Sequence, residues 1–409
     1  MTCHPRLPLV AGLDSERPAV HVWDCEAGRP HELLTVGAES RVYGDADGWA
    51  RRERTPAVAW HPDRPLLVVA GEGGVVRWTP AGLSGLEGLP PTADYRSLAF
   101  GPDGRTLWAS PSSGDEDSAW DRSDVLDLAS GTLSTGPRWD TGVAEHPAGG
   151  LVATLCSDQG ATLGIFARVD RATAPAAMRV LRRALILDAD GYETPIFSAD
   201  GRHLAIRGNA YDNSVEVFAF PTLHRVLVTT LGDPSPGFPY PQEWLDRMRA
   251  WSRDNLAFGA HPGILWVGTP RGTLVEVDLD GRHAVEHELP AGSPVSGLGA
   301  LATGELVVAD GGGGLALVSV RSGTARTDST DVATSRATVT AFLDATSEVP
   351  DDGELEAHLV LTDGTRTWDA DDLAAVTTTT PGDPAWLQLR AALNTARPDE
   401  DTGDVAPGS

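Results

Sequence analysis

The chain has 409 residues, 41% hydrophobic and 22% charged, enough for two or three average domains or one large all-β unit and too apolar for wholesale disorder. Acidic residues outnumber basic ones 58 to 32, and the formal charge of -26 repels the phosphate backbone of nucleic acid and anionic membrane surfaces. All 32 basic residues are arginine, which removes the Walker A lysine, the protein-kinase ATP lysine and every lysine Schiff base.

In chain order, one pattern recurs. Residues 4–30 (HPRLPLVAGLDSERPAVHVWDCEAGRP) are short apolar strands parted by Pro and Gly turns, with Trp23-Asp24 near the end. From Ala57 the order is a strand, a Pro-Asp turn, a Leu/Val strand, a Gly-rich hairpin and a strand that reaches Trp78. It returns from Ser97 (SLAFGPDGRTLWAS), Val143 (VAEHPAGGLVATL), Pro195 (PIFSADGRHLAIRG), Leu256 (LAFGAHPGILWVG) and Leu298 (LGALATGELVVAD). A weaker copy at 339–373 carries Trp368-Asp369, so seven intervals span 345 residues, a period of about 49. Each unit predicts a small antiparallel sheet with two apolar faces, which stacking in a closed ring buries.

With Trp-Asp at 23–24 and 368–369 and the turns HPDR at 61–64, GPDG at 101–104 and SADG at 198–201, residues 3–376 resemble the WD40-repeat family of β-propellers. The resemblance implies an all-β propeller of four-stranded blades. The family's Gly-His dipeptide occurs nowhere, so the buried hydrogen-bond network it anchors does not carry over. The Trp-Asp positions favour eight blades over seven. The first unit leaves no room before His4 for an innermost strand, so either one of eight blades is incomplete or the two ends share a seventh.

In a blade whose strands are lettered a to d outward, b–c and d–a loops lie on one face and a–b and c–d turns on the other. Insertions 37–55 (d–a), 111–123 (b–c) and 233–254 (d–a) therefore project from one rim. Loops carry binding while stacked sheets carry stability, and this face is expected to bind a protein partner. Its candidate contacts are Arg41, Trp49, Arg51 and Arg52 on the first insertion, and Asp115, Glu116, Asp117 and Trp120 on the second. On the third they are Trp244, Met248 and Trp251, which with Leu245 form one stripe at helical spacing after a Pro-rich lead. Such a stripe either packs on the rim or stands out as a docking ridge. Beyond the propeller come a linker (377–383), a second helix (384–396, PAWLQLRAALNTA) and a polar acidic tail (397–409) expected to be disordered.

Strings that resemble catalytic or metal motifs lack the context those motifs need. His283-Ala-Val-Glu286-His287 spells an inverted zinc-protease string, but it follows an Asp-Gly turn and is expected to be a strand, where positions four apart are about 13 Å distant. His4, His61, His146 and His261 recur at equivalent turns and read as structural. Asp45–Gly48 and Asp188–Gly191 lack the distal glutamate of a calcium loop. No nucleophile elbow occurs, and the Gly-Leu-Gly start of 297–302 has no helix after it. No cofactor or metal is expected. The favoured function is a noncatalytic platform for protein interaction, on its own a monomer; the alternative is a propeller hydrolase or lactonase with acids or a metal at the channel mouth. Three widely spaced cysteines, Cys3, Cys25 and Cys156, and the lack of a long apolar run point to a reducing, cytoplasmic home. The Ala, Gly, Arg and Pro richness matches high-G+C bacterial coding.

Overall fold

A computed structural model describes residues 1–45, 48–90, 95–101, 104–111, 122–137, 141–149, 151–158, 161–168, 183–187, 193–208, 213–261, 263–289, 292–319, 359–362 and 367–368. Their fold is an all-β propeller, a succession of antiparallel meanders in which each strand pairs with its chain neighbours. Blade 1 has strands a to d at Thr2–Cys3, Leu9–Leu13, Val20–Asp24 and His31–Val36; blade 2 at Ala57–Trp60, Leu67–Gly71, Gly74–Thr79 and Gly82–Gly85. Blade 3 follows at Tyr95–Phe100, Thr106–Pro111, Arg122–Asp127 and Thr132–Pro137, and blade 4 at Ala144–Glu145, Leu151–Asp158, Ala161–Arg168 and Arg183–Leu187. Blade 5 comprises Ile196–Phe197, His203–Arg207, Ser214–Ala219 and His224–Thr230, and blade 6 Leu256–Phe258, Ile264–Gly268, Thr273–Asp278 and His283–Glu288. Blade 7 shows three strands among the described residues, Val295–Ala300, Leu306–Asp310 and Leu315–Val318.

Sequence pattern follows position in the blade. The b strands of blades 5 and 6 are buried throughout, because both faces press on neighbouring blades, and they read as nearly continuous apolar runs such as ILWVG. The d strands form the outer rim; HAVEHE in blade 6 is exposed along its whole length.

The faces interlock around the ring. Val20 and Val22 of blade 1 pack on Trp60, Leu67 and Trp78 of blade 2, and Ala57 and Val68 on Tyr95, Leu107 and Leu126 of blade 3. Ser97 Oγ donates to the Thr141 carbonyl at the edge of blade 4, 3.2 Å away. Leu151 and Phe166 then meet Leu204 and Phe218 of blade 5, Ala205 and Val215 meet Phe258 and Leu265 of blade 6, and Trp266 and Leu274 meet Leu298 and Leu306 of blade 7. Leu301 and Val307 of blade 7 close on Val10 and Cys25 of blade 1, beside Met1, Cys3 and Trp23. Each large apolar side chain so buried contributes about 1.5–3 kcal/mol.

The described ring therefore has seven blades, not the favoured eight. Thr2–Cys3 pairs with Leu9–Leu13, so the first blade has its innermost strand after all and needs no exchange with the other end. The Trp368 repeat adds to blade 4 instead. Leu359–Thr362 runs parallel to the outer strand Arg183–Leu187, and Thr367–Trp368 pairs beyond it. A d strand offers a free row of backbone donors and acceptors, whereas the seam between blades 7 and 1 is already filled. The expected linker, second helix and tail lie outside the described residues.

Three of the turn histidines fasten neighbouring blades. Nε2 of His4 donates to the Arg64 carbonyl (2.8 Å) and that of His146 to the Gly201 carbonyl (3.1 Å), each in the next blade. Their Nδ1 atoms accept backbone N–H groups of their own turns, from Arg6 and Leu7 and from Ala148. His61 repeats the arrangement with Asp63, Arg64 and the Gly104 backbone. His261 stands half-buried at the matching turn of blade 6.

A cleft between the third insertion and blade 6

The alternation of the meander puts the first and third insertions, which both join d to a, on one face; of the second, residues 112–121 lie outside the described residues. In the first insertion, helix α1 (Gly48–Arg54) lies over the buried ring of Tyr43. The guanidinium carbon of Arg51 is 4.6 Å from that ring's centre and that of Arg54 is 5.4 Å. Arg51 also donates to the Ser15 carbonyl, and Arg54 pairs with Glu72 at 2.7 Å and donates to the carbonyls of Val42 and Arg41. These two arginines hold their own loop in shape, and Arg41 is exposed beside them. Trp49 and Arg52 are placed only as backbone positions of α1, and Asp115, Glu116, Asp117 and Trp120 lie outside the described residues.

In the third insertion the expected helix forms as α2 (Gln242–Arg249), led in by extended Pro241, with Glu243 in its first turn and Arg247 and Arg249 in its last, as the helix dipole favours. The stripe turns inward. Trp244 is buried, its Nε1 donating to the carbonyls of Asp233 (3.2 Å) and Pro234 (3.1 Å), while Tyr240 stacks on its face at 5.2 Å. Leu245, Met248 and Trp251 are half-buried, with Trp251 two residues past the helix end. Arg207 on strand b of blade 5, only 3% exposed, ties the insertion down. It donates to Asn213 Oδ1 (2.8 Å), Asn255 Oδ1 (3.1 Å) and the Ser252 carbonyl (3.3 Å), and Asn213 in turn donates to the Met248 carbonyl (2.8 Å).

Between α2 and blade 6 opens a cleft of about 380 Å³. Leu231, Trp244, Met248 and Trp251 line one side; Thr269, Pro270 and Val275 line the other. Two ion pairs edge it, Arg247 to Asp233 and Arg271 to Glu286, each at 2.7 Å. The Thr273 hydroxyl, 2.6 Å from Glu286 Oε1 and helped by Arg271, holds the Glu286 carboxyl below its usual range. The cleft thus combines an apolar interior with charged lips. It unites Trp244, Met248 and Trp251 of the expected contacts. The blade 6 wall was not foreseen, because nothing in a linear pattern says which blade an insertion leans on.

Phe238 was also missed. It is 88% exposed, with its ring edge-on to Tyr240 at 6.1 Å, so the Phe238, Tyr240 and Trp244 rings form a ladder running out to solvent. Its signal was present in Gly-Phe-Pro-Tyr-Pro, where aromatics alternate with prolines that stiffen the chain.

The His283 to His287 string is a strand as expected, and its groups find separate partners. His287 Nε2 is 2.9 Å from Glu276, and Glu286 faces Arg271 and Thr273. Among the described residues, no three His, Cys, Asp or Glu side chains gather in a way that would hold a metal. Burial pushes the Cys3 thiol up to about 12 and the Cys25 thiol up to about 11, and both are free. No helix among the described residues is long and apolar enough to cross a membrane.

No protein-family model matches the chain, and no curated protein matches its sequence. Among solved structures it is similar to Kuenenia stuttgartiensis hydrazine synthase at 14% identity and a TM-score of 0.46, over 75% of this chain and 90% of that one. It is also similar to the β-propeller domain of Myceliophteria thermophila Cps50 (Swd1) at 13% identity and a TM-score of 0.49, over 78% and 95% of the two chains. The propeller fold is read from the strand pairing described above.

Proposed function

We propose that the chain is a noncatalytic, WD40-like interaction platform that binds a protein partner through its insertion-bearing face. The observation that carries this reading is a knob beside a hole: exposed Phe238 on its aromatic ladder next to the cleft walled by Met248 and Trp251. Large aromatic anchors in or beside a desolvated pocket supply most of the energy of protein interfaces, and surrounding charge steers the encounter. Trp244 serves as foundation, since it is already buried, and the contact falls to Phe238, Met248 and Trp251.

Affinity recovery of the partner from the native host tests this. Phe238→Ala and Trp251→Ala should each lower recovery about tenfold or more, the cost of a hot-spot side chain, with unchanged circular dichroism. Glu26→Ala and Arg29→Ala, exposed on the c–d turn of blade 1 on the other face, should leave recovery intact. The reverse pattern would place the platform on the other face.

A further inference from the structure

We propose that the cleft beside α2 is the docking site of the chain's own segment 384–396, with the acidic run 398–404 against Arg247 and Arg271, so that the platform is covered in cis until a partner displaces it. This rests on the platform reading, whose contact surface it would regulate.

The cleft states what it takes. Its interior is apolar and aromatic, and at about 380 Å³ it falls within the ~300–1,000 Å³ range of binding pockets. Its two arginines are 58% and 76% exposed. Arg247 spends Nε on Asp233, and Arg271 spends one Nη on Glu286. The other donors of both forks remain for an incoming acid. An apolar helix followed by carboxylates is the matching occupant.

Residues 384–404 have that chemistry in that order. Trp386, Leu389 and Leu393 stand at i, i+3 and i+7, the spacing of a helix laid into a groove, and Asp399, Glu400, Asp401 and Asp404 follow. On a chain of net charge -26 most of the surface repels such a run, whereas Arg247 and Arg271 keep donors that can receive it.

Reach permits the contact. Thr367–Trp368 extends the sheet of blade 4, and the cleft lies between the insertion after blade 5 and blade 6. The fifteen residues 369–383 span up to ~50 Å when extended, against a radius of gyration of ~22 Å for a globule of this length. A tether of this kind gives an effective concentration on the order of 1 mM, so a bare affinity of only ~0.1 mM keeps the cleft about nine-tenths occupied.

Hydrogen exchange of the α2 amides in the full chain and in a full-length Trp386→Ala/Leu389→Ala variant provides the test. The variant should exchange about tenfold faster over 244–250, and a synthetic 380–409 peptide added to it should restore protection. Partner recovery should rise in the variant. Asp399→Asn/Glu400→Gln/Asp401→Asn should weaken protection more at low salt than at high. Equal exchange in the two chains with no peptide binding would overturn the proposal, as would lower partner recovery in the variant. Protection that grows with protein concentration, with dimers in light scattering, would assign the segment to a second copy and overturn docking in cis. If recovery still depends on Phe238 and Trp251 after any of these failures, the platform reading stands without its cover.

Discussion

At the scale of single residues, the histidine fasteners connect turn chemistry to ring cohesion. The Cβ that alanine would add at Gly201 falls 2.3 Å from His146 Nε2, at a φ of +70°, and Gly104 meets His61 in the same way. Gly201→Ala therefore combines a left-handed backbone penalty with overpacking, and should cost about 1–3 kcal/mol, read as a lower Tm with unchanged circular dichroism. Burial holds His4, His61, His146 and His203 below their ordinary 6.5. A depressed folded value means the unfolded chain binds protons more readily, so stability is full above 6.5 and falls as pH drops through the folded values. His21 works the other way: despite burial, Glu32 and Asp14 raise it, and its contribution is lost as pH rises through its folded value. Four groups against one predict a net fall in Tm between pH 6.5 and 5, above the window of the low-lying carboxyls of Asp127 and Asp200. His146→Gln, which cannot titrate, should lower Tm at pH 7 and flatten that slope; an unchanged slope would remove His146 from the account.

At the scale of elements, the proposed platform divides the insertions into foundation and contact surface. Trp244→Ala empties a buried indole site and its two carbonyl bonds, a change expected to cost about 3–5 kcal/mol locally and to speed proteolysis within 233–254. Phe238→Ala touches only the solvent end of the ladder, so its unfolding free energy should stay within about 0.5 kcal/mol of the parent. Much of this was legible. The Pro-rich lead and the 244, 245, 248 spacing gave helix α2, and alternation along the meander gave the common face of the first and third insertions. What was not legible depended on contacts across the ring. That Arg51 and Arg54 serve Tyr43, and that Arg271 and Glu286 wall the cleft, follows from tertiary placement, and arginines on a loop look alike in sequence whether they hold the loop or greet a partner.

At the scale of the molecule, the repeat announced a propeller because its apolar b strands and turn signals recur at a steady period. It left the number of blades open because a Trp-Asp pair marks a strand end, not the sheet to which the strand belongs: Trp23 lies in strand c of blade 1, while Trp368 extends blade 4. Closure makes its own prediction. Val10 and Val307 are fully buried in one seam though nearly three hundred residues apart. Val10→Ala and Val307→Ala should therefore be non-additive, with a coupling of about 0.5 kcal/mol or more in a double-mutant cycle; strict additivity would open the ring. The partner face is tested most directly by photocrosslinking in the native host, with a benzophenone side chain at position 238 and, as control, at position 29. Position 238 should give a discrete adduct heavier than the chain that position 29 does not give, whereas adducts from 29 alone would contradict the assignment of the partner to the insertion-bearing face.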